Sequence, residues 1–326
     1  MYDLEETKLI EEIKKRNANK ILLQLPEGLK KEASRLINLI ETKTDAEVIV
    51  SGEHCWGACD VAINEAKSLN ADLIILYGHA PFMKVDFPIL YLETRFKGKI
   101  NGLMEKTLPL LKNFKNIGIA SSVQHLDQLK KVKEILEKNN KNVFIPDAKG
   151  HAFYDGQVLG CEYNGLKKIN ADAFLVIANK FHALGAALAV KQPVFLLDPY
   201  NKKIESMQDL RNKIIKQRAI AIERVKNANK IGLIIGLKHG QKFGSEKLLK
   251  EKFKKLGKEV ITLSIAEITN DKLLNFYDVE AFVEIACPRI AIEDVAKFEK
   301  PIITFKEALV VLNELTWDEL LDQGLL

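Results

Sequence analysis

The chain is poor in sulfur and in tryptophan, with four cysteines, four methionines and two tryptophans in 326 residues. It also lacks any run approaching the ~20 uncharged apolar residues of a membrane-spanning helix. Its first six residues, Met1 to Glu6, are charged and lack the apolar core of a secretory leader. These absences predict a cytoplasmic protein with no membrane partner. In a reducing compartment a disulfide framework is disfavoured, which leaves the thiols for metal binding, nucleophilic chemistry or inert burial. Neither sign of charge dominates: 49 basic residues face 44 acidic ones, for a net charge of +5, interspersed in mixed Lys/Glu runs. That is the pattern of solvated faces rather than of a nucleic-acid stripe, and no direct nucleic-acid binding is expected. Phosphate loops of the Gly-x-x-x-x-Gly-Lys-Ser/Thr kind are missing, and no Gly-x-Gly-x-x-Gly follows the first strand. The radical-enzyme loop Cys-x-x-x-Cys-x-x-Cys is missing too, since Ala62 stands three residues beyond Cys59.

What is present is a cadence of short apolar β-rich runs between Lys/Glu-rich helical segments. The runs fall at 20–25, 47–50, 72–77 and 88–91, again at 117–120, 142–145, 174–177 and 193–197, and again at 231–235, 259–262, 281–285 and 301–304. Continuous apolar strands separated by helices imply parallel sheets covered on both faces. Asn70-Ala71-Asp72, Asn170-Ala171-Asp172 and Asp278-Val279-Glu280 occupy matching places. The reading is therefore an α/β protein of three related domains, each a small parallel β-sheet flanked by helices, in a pseudo-threefold arrangement around a central site. The predicted units are 1–108, 109–220 and 221–326. A helical linker over 202–227, with no Ser/Gly-rich connector, predicts rigid packing between them.

The cysteines sit in turn-like settings: Gly52-Glu-His-Cys55-Trp-Gly-Ala-Cys59-Asp60, Leu159-Gly-Cys161-Glu162 and Ile285-Ala-Cys287-Pro288-Arg289. Gly, Ala and Pro neighbours suit site chemistry, although a free Cys is often just a small buried hydrophobe. Ligand groups in parallel α/β units cluster in loops at the carboxyl ends of strands, where Cys59, Cys161 and Cys287 are all expected. Three converging thiolates suit a 4Fe-4S cluster with one iron left open. Cys55 would close that iron if it also ligated, or would complete a four-Cys zinc site, although structural zinc usually draws paired ligands from two short loops. A Cys/His hydrolase explains only one of the three thiols.

Pro26-Glu27-Gly28-Leu29, Gly57-Ala58-Cys59-Asp60, Tyr77-Gly78-His79, Gly160-Cys161, Phe181-His182-Ala183-Leu184-Gly185, Asp198-Pro199-Tyr200 and Ala286-Cys287-Pro288-Arg289-Ile290 lie in this order along the chain. Together they resemble the archaeal diphthamide-biosynthesis enzyme 2 family, from about residue 15 to 310. The resemblance implies a homodimer holding a 4Fe-4S cluster on Cys59, Cys161 and Cys287, which are catalytic through that cluster. It implies S-adenosylmethionine at the open iron, one-electron reduction by a donor the sequence does not identify, and non-standard radical chemistry. The 3-amino-3-carboxypropyl group would pass to imidazole C2 of a histidine in translation elongation factor 2, the first step towards diphthamide. Cys55 departs from this pattern, which needs one Cys in its loop.

Within this reading Arg289 is the candidate for the carboxylate of the methionine moiety, because its planar fork suits bidentate pairing; its competing role is a surface ion pair. Gly78, His79 and His182 are placed at the cavity, and Gln24, Glu27 and Gly28 at the amino-acid portion or backbone of the ligand. Trp56 is read as packing, Asp60 as a helix N-cap for 61–69, and Asp198-Pro199-Tyr200 as a turn. Two other readings remain: a zinc-stabilised or redox-inert α/β binding protein for a small acidic metabolite, and a non-catalytic accessory subunit.

Overall fold

The computed structural model describes residues 2–98, 100–293 and 297–326. The first sheet is built from β1 (Lys20–Gln24), β2 (Glu47–Val50), β3 (Leu73–Tyr77) and β4 (Ile89–Leu92). The second holds β5 (Asn116–Ser121), β6 (Asn142–Phe144), β7 (Ala173–Ile177), β8 (Val194–Asp198) and β9 (Lys203–Ser206), and the third β10 (Lys230–Gly236), β11 (Glu259–Ile265), β12 (Ala281–Glu284) and β13 (Ile302–Thr304). The strand orders are β2-β1-β3-β4, β6-β5-β7-β8-β9 and β11-β10-β12-β13. The same four-strand order thus recurs, parallel throughout. The added β9 runs antiparallel to β8, entered through a turn in which Asp198 accepts the backbone N–H groups of Tyr200 and Asn201.

Helices on both faces explain why the strands read as unbroken apolar runs. In the first unit Leu9, Ile13, Leu36 and Ile40 cover one face of the sheet, and Ile63 and Ala66 the other. A carboxylate brace repeats in each unit. Asp72 accepts the N–H of Asn19, Asp172 those of Lys115 and Asn116, and Glu280 that of Asn229. Each ties the start of a unit's third strand to the start of its first, so the matching acidic turns of the sequence have one structural job.

Packing, rather than sequence position, sets where one unit gives way to the next. The helix Asn101–Thr107 follows the first sheet but buries Leu103 and Met104 in the core of the second. The helix Gln208–Asn227 runs unbroken across residue 220, and Ile214, Ala221, Ile222 and Val225 enter the third core. Arg218 on that helix is wholly buried, with Nε and Nη2 on the two carboxylate oxygens of Glu307 and further bonds to the carbonyls of Ala291 and Ile302. Among the described residues no helix is long and apolar enough to cross a membrane.

Candidate metal and cofactor site

One cavity of about 690 Å³ lies where the carboxyl ends of the three sheets meet, and Cys59, Cys161 and Cys287 all line it. Its wall follows the strand order. The loop after the first strand supplies Pro26 and Gly28, Val123 and Gln124, and Lys238 and Gln241 in the respective units. Loops after the second strands bring Cys59, Cys161 and Glu267, and those after the third bring His79, His182 and Cys287. Parallel sheets expose their ligand loops at that end, so three units facing inwards make one site.

All three thiols are free and partly accessible. Burial pushes Cys287 up to about 12. Cys161 is raised by burial and then by its neighbours Cys287 and Cys59, and Cys59 is raised by burial against the opposing effect of Gln241. The shared electrostatics mark the three as neighbours that favour the protonated form until a metal displaces the protons. Behind Cys287, the buried carboxyl of Glu284 is pushed up to about 8 by burial; it accepts the N–H of Ala286. Cys55 is near Cys59 but does not line the cavity: 7% exposed, it packs with Leu22, Ala58 and Ala71, and burial raises its thiol to about 12. Among the described residues no three His, Cys, Asp or Glu side chains are arranged to hold a single metal ion. An all-sulfur set shared by three loops fits an iron–sulfur cluster, whose metals span more space than one ion, better than mononuclear zinc.

A polar rim accompanies the thiols. Arg289, 4% exposed, stacks its guanidinium 4.0 Å over the Phe181 ring and donates Nη2 to the Phe181 carbonyl and to Glu293. Its Nε and Nη1 are buried from solvent, and Tyr163 hydrogen-bonds to the guanidinium. Gly185 makes room for this arrangement, since a Cβ there would fall 2.0 Å from Tyr163 Oη and 2.2 Å from Arg289 Nη1. His79 places Nδ1 2.9 Å from the Tyr77 carbonyl. In the neutral ring that nitrogen carries the proton and Nε2 is left as an acceptor. His182 does the same with Asn179 Oδ1 at 2.8 Å, the oxygen that also caps its helix. Burial lowers both imidazoles, that of His182 to about 3 with help from the Arg289 cation.

The other residues singled out in the sequence divide. Gly28 and Gly78 line the cavity, and Gly78 adopts φ 77°, which suits glycine. Gln24 does not line it: Nε2 donates to the Asp60 carbonyl and Oε1 accepts from Ala62, so this side chain braces the Cys59 loop from behind. Glu27 points away to His54 and Lys30 on the surface. Trp56 is 60% exposed rather than packed, with its indole N–H on Glu267. Asp60 is no helix cap, since the helix begins at Ile63 without a side-chain cap. It pairs instead with Lys238. Lys238 and Gln241 escaped the sequence reading, though Leu237-Lys-His-Gly240 after β10 repeats the spacing of Leu25-Pro-Glu-Gly28 after β1.

Residues 25–321 match the sequence profile of the family described as "Putative diphthamide synthesis protein". The chain is 31% identical to the 2-(3-amino-3-carboxypropyl)histidine synthase of Pyrococcus horikoshii, covering 98% of this chain and 94% of that protein. It is 30% identical to the 2-(3-amino-3-carboxypropyl)histidine synthase subunit 1 of Homo sapiens, over 98% of this chain and 74% of the human one. The crystal structure of Dph2 from Pyrococcus horikoshii is similar with a TM-score of 0.89 at 30% identity, over 96% and 92% of the two chains. The structure of that protein with a 4Fe-4S cluster gives the same TM-score over 97% and 93%. With a profile match over most of its length and a relative of this identity spanning nearly all of it, the chain belongs to the diphthamide synthesis protein family.

Proposed function

We propose that this protein is a 2-(3-amino-3-carboxypropyl)histidine synthase that acts on a histidine of translation elongation factor 2 in the first step of diphthamide formation. The observation that carries the reading is the presence of three thiols, one from each α/β unit, on one cavity, with Cys55 buried and not lining it. Cys59, Cys161 and Cys287 would hold a 4Fe-4S cluster. When bound, the cluster supplies an open iron and one electron for breaking the sulfur–carbon bond of S-adenosylmethionine, by a radical route.

The chain's own residues bind and orient. Arg289 lines the cavity and supplies the cation for the methionine carboxylate, with its guanidinium stacked on Phe181. Nε2 of His79 and of His182 are acceptors suited to the α-ammonium, kept neutral by burial. Three rigid units clamp the site, which limits the orientations open to the sulfonium. Action in the cytoplasm as a homodimer, with a separate one-electron donor, completes the reading carried over from the family resemblance.

The test is anaerobic reconstitution with iron and sulfide, followed by incubation with dithionite, S-adenosylmethionine and elongation factor 2. Mass spectrometry should find an aminocarboxypropyl group on one histidine, lost in Cys59→Ala, Cys161→Ala and Cys287→Ala. No modification despite a full iron complement would reject a self-sufficient synthase. It would then favour an accessory role.

A further inference from the structure

The geometry points to Gln241 as a positioning residue that raises the reduction potential of the metal group on Cys59, by donating its side-chain amide to the ligand sulfur across the boundary between the third and first units. This inference rests on the cluster reading above.

The three thiols are not equivalent. Cys59 Sγ receives a side-chain donor, Nε2 of Gln241 at 3.6 Å. Neither Cys161 nor Cys287 has such a partner among the described hydrogen bonds. The donor is held in place by its own backbone. Gly240 N–H bonds to the Cys59 carbonyl at 2.9 Å, the turn closes from Gln241 N–H to the Lys238 carbonyl, and Gln241 itself is 6% exposed. Close approach is built in, since a Cβ on Gly240 would fall 2.6 Å from Cys59 Cα. An amide buried here needs an acceptor. A protonated thiol is a weak one; a metal-bound thiolate is a charge-assisted one.

The direction of the effect follows. One-electron reduction adds negative charge to the cluster and its sulfurs, so a fixed N–H donor stabilises the reduced state more than the oxidised one. Hydrogen bonds to cluster sulfurs are among the determinants of iron–sulfur potentials, and outer partners of this kind tune metal sites generally. Gln241 therefore makes the cluster easier to reduce. Because donor and ligand belong to different units, the potential also depends on how the third unit docks against the first.

The experiment is an anaerobic redox titration of the reconstituted full chain, without S-adenosylmethionine, followed by electron paramagnetic resonance. Gln241→Met keeps the length and removes the donor. Its midpoint is expected to move to more negative potential at an unchanged iron complement. Gln241→Glu, whose carboxylate replaces a donor with charge, should move it further. A Gln241→Met midpoint equal to that of the wild type, with iron complete, overturns the proposal and leaves Gln241 as packing. Should Gln241→Met lose the cluster, pulsed resonance on reduced wild-type protein carrying isotope-labelled glutamine side chains decides the matter. A coupling from an amide nitrogen supports the bond, and its absence removes it. A wild-type chain that takes up no cluster fails at the first step and takes the functional reading down with it.

Discussion

Lys238, in the loop after the first strand of the third unit, lies 2.5 Å from the carboxylate of Asp60, the residue next to Cys59 in the first unit. The same ammonium meets Glu267, which in turn accepts the indole N–H of Trp56. Both partners are largely covered, with side chains 11% and 14% exposed. This pair fastens the Cys59 loop to another unit 178 residues away in the chain. Lys238→Met strands the Asp60 carboxylate, whose pKa burial already raises. The expected loss is on the order of 2 kcal/mol, below the range for a fully buried pair. Urea unfolding measures it, and a cycle with Asp60→Asn should show strong coupling between the two sites.

Gly240 offers a sharper test of the same junction. A methyl group there meets the backbone of Cys59, with Cα at 2.6 Å and the carbonyl oxygen at 3.0 Å. Neither atom can rotate away. Gly240→Ala should push the two units apart at a cost of roughly 1–3 kcal/mol. Iron retained per chain after reconstitution and gel filtration should fall while far-ultraviolet dichroism stays unchanged. Gly52→Ala is the control, because nothing lies within 4 Å of its added carbon. Equal iron retention in both variants would discount the junction.

The sheets and their repetition were legible because a parallel strand covered on both faces leaves an unbroken apolar run, and because Asp72, Asp172 and Glu280 mark the same brace three times. Convergence of the thiols followed from the rule that loops at strand carboxyl ends share one side of a sheet. Side-chain partners between units were not legible. Nothing local to Asp60 signals Lys238, so a helix cap looked sufficient. Gln24 and Glu27 sit in a motif beside the cavity, yet one turns its amide to the loop backbone and the other turns to solvent. Only the backbone path of the loop decides that, and composition does not encode it. The continuous helix Gln208–Asn227 likewise hides the change of core, since its apolar spacing serves neighbours in the third unit without a break in pattern.

Arg289 should bind a carboxylate through geometry as well as charge. Arg289→Lys keeps the cation but loses the planar guanidinium and its stacking on Phe181. S-adenosylmethionine binding to the reconstituted protein should weaken about tenfold, equivalent to roughly 1.4 kcal/mol. Equilibrium dialysis measures this directly. Wild-type affinity in the lysine variant would reduce Arg289 to a point charge.

Arg218 supports that arginine from below. Its guanidinium holds Glu307 and the carbonyl of Ala291, two residues beyond Arg289 on the same short helix. Arg218→Met leaves a buried carboxylate with no counter-charge, and the expected destabilisation is about 3–5 kcal/mol. Replacing both partners with apolar residues should recover much of that loss. Urea midpoints of the single and double variants separate the two effects.

The repeated brace makes a prediction about pH. Asp172 accepts the N–H groups of Asn116 and Lys115, and those bonds hold its carboxyl below the ordinary 3.8. A group whose folded value lies below its unfolded value stabilises fully above the unfolded one, and that contribution is lost as pH falls through the folded one. The difference in melting temperature between wild type and Asp172→Ala should therefore be level from about pH 8 down to about pH 5. It should shrink only as the pH falls through and below 3.8. Asp172→Asn retains a neutral acceptor for the same N–H groups, so it should fall between wild type and alanine near neutrality and converge on wild type in acid. A gap that closes already near neutral pH would assign the effect to a group other than this carboxylate, because nothing in its surroundings raises its pKa into that range.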